Sequence, residues 1–290
     1  MKMQPTDFPG VYEPVTNPYT MKKLLIAGSF LLASISLFAQ KKETRDVATF
    51  TKIGFAGAGK VYVKQGSPQK VELEGSQDIL DKYETKVEGD RLSIRPKERW
   101  NDWSWGEDDE ITVYITVKEV KGLAVAGSGD LITQTQITSD ELDLKVSGSG
   151  SVKADVVVSG DLEADVSGSG DIQIKGSAAS FDSDISGSGD VKASVKITGE
   201  SSFSIAGSGK IIIDGSSKDL ITKISGSGSV KGENFQVEKC SIKVAGSGDV
   251  SIHVTEELEV NVAGSGDVRY KGDPKRVNNN SSGSGSVRKI

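Results

Sequence analysis

"KVAGSGDVSIHV", Lys243 to Val254, sets a Gly-Ser-Gly between two runs in which apolar and polar residues alternate. Alternation with a period of two marks a β-strand with one buried face. A glycine-rich corner beside a strand can cradle a phosphate, hold a calcium ion or simply turn the chain. The same tripeptide occurs nine times, with its first glycine at Gly127, Gly148, Gly168, Gly187, Gly207, Gly226, Gly246, Gly264 and Gly283. Successive corners lie 18 to 21 residues apart.

The flanks repeat with the corners. The residue just before each one is always Ala or Ser, from Ala126 to Ser282. Two before, eight of the nine are Val or Ile, with Ser281 the exception. Four after the first glycine, every copy is aliphatic, from Leu131 through Ile211 to Val287. A further column six before is mostly apolar and includes Leu142, Phe181, Cys240 and Leu258. These columns fall at even offsets, while Ser, Lys, Asp and Thr dominate the odd ones.

A short strand with one apolar face is not stable alone, but identical units stacked on one another bury their columns as continuous ladders. The fold class is therefore all-β. The pattern predicts a single-stranded parallel β-helix, or β-solenoid, with coils of about 20 residues, preceded by a β-rich N-terminal capping unit. Both glycines of each corner share the phase of the apolar columns. A side chain there is expected to crowd the interior of the bend, where glycine also permits a positive φ.

Four segments follow along the chain. Residues 1–20 read as a disordered stretch before the true start of translation, and 21–39 as a secretory signal peptide. Met21–Gln40, "MKKLLIAGSFLLASISLFAQ", has two lysines, a short apolar run and a small residue, Ala39, before Gln40. Its removal is expected to leave no stable membrane span. Residues 45–120 form the β-rich unit, in which "AGAGKVYVKQG" looks like one more corner. Hairpin-like strands "KVELEG" and "RLSIRP" follow, then "EITVYITV", and "SQDILDKYETKV" has room for a helical turn capped by Ser76. Residues 121–290 are the solenoid, and its exposed ends invite self-association through edge pairing.

Composition narrows the function. A net charge of −6 argues against a nucleic-acid partner, which needs a basic face. One cysteine, Cys240, and one histidine, His253, leave no disulfide and no Cys- or His-based metal site. No metal and no cofactor is expected. The 34 glycines in 290 residues exceed the usual share of roughly 7%.

The signal peptide, the "F.KIGFAGAGKVYVKQG…VELEG" unit and the serial "(V/I)(S/A)GSG(D/S)(V/I)" strands resemble the head GIN domain family of Bacteroidetes. Its members are called putative auto-transporter adhesins. The resemblance spans residues 45–287 and implies a β-helix-like fold, an exported location (periplasm, outer surface or medium) and an adhesin role. It carries no catalytic residues.

Other chemistries fit less well. A phosphate loop needs a helix N-terminus after the glycines, whereas every corner here runs into a strand. Asp130, Asp171, Asp190, Asp249 and Asp267 follow five corners in the manner of calcium-binding turns. Ser151, Ser229, Ser286 and Lys210 interrupt that ladder. A glycan-active β-helix enzyme would need paired carboxylates on an exposed face, and none stands out. His253, at an odd offset, is expected to face solvent, and Cys240 to be a buried apolar residue.

The segment that breaks the repeat is "ERWNDWSWGEDDE", Glu98–Glu110, with Trp100, Trp103 and Trp105 beside four acids. Exposed indoles next to carboxylates can stack on a sugar or a partner protein. These tryptophans are the candidate ligand-binding residues, and a glycan or a surface protein is the candidate partner. The competing reading packs the indoles against the cap. The sequence thus points to a non-enzymatic binding module, with a glycan-active enzyme or an envelope scaffold as alternatives.

Overall fold

The inward aliphatics two residues before each corner lie directly over one another. Val125 pairs in parallel register with Val146, and the ladder continues through Val166, Ile185, Ile205, Ile224, Val244 and Val262. None is more than 2% exposed. The corner glycines align in the same register, from Gly127 opposite Gly148 to Gly264 opposite Gly283. Strands on both sides of the corner are thus stacked into the parallel β-solenoid that the periodicity predicts. The computed structural model describes residues 41–97 and 110–290, and the segment Lys41–Ile290 is one compact unit. Residues 1–40, with the signal-peptide reading, and residues 98–109, with Trp100, Trp103 and Trp105, lie outside the described residues.

The corner itself shows why two glycines are needed. Gly207 has φ +129°, and a Cβ on it would stand 2.3 Å from the carbonyl oxygen of Gly187 in the coil below. That oxygen accepts the N–H of Ser208 at 2.9 Å, so the missing side chain makes room for the hydrogen bond that joins the coils. Gly209 is buried, and a Cβ there would meet both Gly189 O at 2.5 Å and the inward Ile185 Cγ2 at 2.6 Å. The even-offset expectation of interior crowding therefore describes the second glycine. It misplaces the first, because a positive φ rotates that residue out of the strand alternation and into the neighbouring coil.

The N-terminal end is closed by a change of strand direction. β1 (Lys41–Arg45) opens the described chain, and β2 (Lys52–Gly57) and β3 (Gly59–Gln65) flank an additional corner. They are followed by β4 (Lys70–Gly75), α1 (Gln77–Lys82), β5 (Tyr83–Glu88), β6 (Arg91–Pro96) and β7 (Ile111–Val117). β2 runs parallel to β8 (Gly122–Gly127), with Gly57 opposite Gly127, and β3 runs parallel to β9 (Asp130–Thr133).

On the far side β6 and β7 continue the parallel stack, and then the pairing turns antiparallel, with β5 on β6, β4 on β7 and β1 on β4. The strands "KVELEG" and "RLSIRP" do not pair with each other. A strand hidden in "YETKVE" separates them, and its weak apolar alternation concealed it. Ser76 caps α1 as expected, its Oγ accepting the Ile79 N–H at 3.3 Å, and the helix buries Ile79 and Leu80 at the end of the core.

The other end is polar. Among the described residues, the strand Arg276–Gly283 pairs on one side only, and its side chains are exposed along its whole length. Asn279 and Ser281 stand over Val260 and Val262, both buried in the coil before. Among the described residues no helix is long and apolar enough to cross a membrane.

Candidate functional site

The outward columns carry the variation that a repeated core leaves free. On the face before the corners, Asp143 pairs with Glu163, Glu163 with Asp182, and Asp165 with Asp184. Like charges directly opposite one another repel. Partial desolvation, reinforced by Asp143, raises the Glu163 carboxyl above its ordinary range. Asp182 is raised in the same way, with Asp184 the largest of several neighbouring charges, although much of its side chain remains in water. Lys145 answers part of this field, with Nζ 3.1 Å from Asp165 Oδ2, and that hydrogen bond raises its own pKa.

Further along the same face the chemistry changes. The column three before the corner runs from Asp165 and Asp184 through Ser204 to Lys223, Lys243, Asn261 and Asn280. Beside it the column one before the corner is exposed yet held to Ala206, Ser225, Ala245, Ala263 and Ser282. A methyl or hydroxymethyl fills little space between the corner and the longer side chains two residues earlier. The result is a groove of about 480 Å³ running across these coils, with Lys223 and Lys243 among its lining residues. Among the described residues no carboxylate lies within 4.0 Å of either ammonium. Asn280 Nδ2 donates to Asn261 Oδ1 at 3.4 Å at the groove's C-terminal end.

Sequence reasoning overlooked this groove, although a solvent-facing column restricted to Ala and Ser in every repeat was its visible sign. The other candidates have structural surroundings. Asp130 Oδ1 accepts from Ser151 Oγ at 2.6 Å, and Asp249 Oδ1 accepts the Asp267 N–H at 3.0 Å. Ser286 donates its hydroxyl at 2.7 Å and its N–H at 3.1 Å to Asp267, which lowers that carboxyl's pKa. Asp130, Asp249 and Asp267 thus each tie their corner to the next coil by hydrogen bonds. Cys240 is buried over Leu220 and under Leu258, and desolvation pushes its thiol well above the ordinary value. His253 is half-buried on the outward side of its strand, in register with Lys271.

The model of the family described as "Putative auto-transporter adhesin, head GIN domain" matches residues 49–213 and 198–274. Among curated proteins none matches this chain. A crystal structure from Parabacteroides distasonis ATCC 8503, described as a "putative lipid binding protein", is 26% identical. It covers 87% of this chain and 96% of its own, with a TM-score of 0.66. A "putative adhesin" from the same strain is 22% identical over 87% of this chain and 98% of its own, also at TM-score 0.66. Another, from Parabacteroides merdae ATCC 43184, is 19% identical, covers 87% and 96%, and has a TM-score of 0.61. At these lower identities the likeness speaks for the fold alone.

Proposed function

The chain belongs to the putative auto-transporter adhesin, head GIN domain family, and from that premise we propose that it is an exported, non-enzymatic binding module of the cell envelope. The observation that carries this reading is the contrast between its columns. Inward positions repeat Val and Ile coil after coil, while the outward column through Asp184, Ser204, Lys223 and Asn261 changes charge and shape. A constant core with a varied face is how repeat proteins build recognition surfaces. The adhesin name of the family supports the absence of catalysis, and the signal-like Met21–Gln40 supports export.

The test is to present the purified exported protein to arrays of envelope glycans, surface proteins and lipids. Saturable retention of one class without chemical change is the expected result. Release of shortened oligosaccharides from the glycan array would replace this reading with a glycan-active enzyme.

A further inference from the structure

We propose that the groove over the C-terminal coils takes a single-chain amphiphile with an anionic head, of the fatty-acid type. This rests on the reading of the chain as a binding module and names the ligand of one of its faces. Two independent features converge. The floor is Ala206, Ala245 and Ala263 with two serine methylenes, an exposed apolar strip with no packing role in the core. Its volume, about 480 Å³, lies in the range of roughly 300–1,000 Å³ typical of small-molecule sites. It crosses five coils, and strands spaced ~4.8 Å apart make it about 19 Å long, a shape for an extended chain rather than a compact ring.

Charge supplies the second feature. The column bordering the floor is acidic at Asp165 and Asp184 and becomes cationic where the groove lies, at Lys223 and Lys243. Glu259, on the next column out, has its Oε1 accepting from Asn261 Nδ2 at 3.4 Å. Two ammonium groups with no carboxylate partner beside an apolar trough fit a carboxylate head, while their methylene stems extend the apolar wall.

The experiment titrates the exported protein with cis-parinarate, a fluorescent fatty acid, and with its uncharged methyl ester. Saturable fluorescence enhancement by the acid is expected. Ala245→Phe, at an exposed position that fills the trough, should abolish it, and Ala126→Phe, in the equivalent column outside the groove, should leave it intact. Lys223→Gln with Lys243→Gln should weaken the acid roughly tenfold and leave the ester unchanged, as two exposed ion pairs allow. No saturable signal with the acid, or equal signals from Ala245→Phe and the parent chain, overturns the proposal. A protein that retains an envelope glycan or protein yet ignores cis-parinarate keeps the binding-module reading and loses this ligand. One that retains nothing on any array loses both.

Discussion

Tyr83 stacks on Phe55 with their ring planes 3° apart and centroids 6.2 Å apart. Its hydroxyl donates to the carbonyl of Ala58 at 3.4 Å, at the corner between β2 and β3. A Cβ on Gly57 would stand 2.3 Å from that phenol oxygen, just as one on Gly207 in a later coil would stand 2.3 Å from the carbonyl oxygen of Gly187 in the coil before it. The phenol therefore stands in for a missing coil and closes the stack. Tyr83→Ala removes a fully buried ring and should cost about 3–5 kcal/mol, whereas Tyr83→Phe should cost only about 1 kcal/mol. Urea denaturation measures both. Equal midpoints for parent and Tyr83→Ala would mean that the cap does not hold the N-terminal end.

The corner makes a sharper prediction. At Gly207 a side chain meets a forbidding φ of +129° and the carbonyl of the coil below. Gly207→Val should destabilise by about 2–5 kcal/mol, strain and overpacking acting together. Ser208, whose side chain is exposed, contributes its backbone N–H to the ladder and should tolerate Ala. Thermal melts of the two variants decide the matter, and near-identical curves would refute this account of the corner.

The acidic face has a pH signature. Asp182 has a raised folded pKa, from desolvation first and then from Asp184 and other neighbouring carboxylates. The folded state then binds a proton more readily than the unfolded chain, so stability rises as pH falls through the raised value. Above it the charged group opposes folding. Asp182→Asn should therefore raise the melting temperature at neutral pH, and the gain should vanish once the parent's carboxyl is protonated. An unchanged melting temperature at neutral pH would show that the like-charge ladder is fully relieved by solvent.

The core of the solenoid was legible because Val, Ile and Leu recur at fixed even offsets from each corner, and stacking is the one arrangement that buries all of them. The capping helix was legible through Ser76. By contrast, "KKETR" carries no apolar alternation to mark a strand, yet β1 pairs antiparallel with β4 as an edge strand, where lysine is at home. The partner of "KVELEG" was equally hidden, since strand order depends on contacts far apart in the chain. The groove escaped notice for a different reason. It is made by side chains that are too small, and a column of Ala and Ser registers as an absence until the longer neighbours are seen beside it.

The export prediction concerns the boundary between Ala39 and Gln40. β1 (Lys41–Arg45) lies just C-terminal to that boundary and pairs antiparallel with β4, from Lys41 opposite Gly75 to Arg45 opposite Val71. Lys22 and Lys23 followed by the apolar run from Leu24 to Phe38 supply the charge and hydrophobicity of a signal peptide. Cleavage after Ala39 would leave β1 whole and would remove the most apolar stretch of the chain. N-terminal sequencing of protein recovered from the native envelope or medium should begin at Gln40. A mature protein that retains Met21 would convert the signal into an anchor and hold the solenoid on a membrane tether. A start inside β1 would instead break its register with β4 and should lower the stability of the cap.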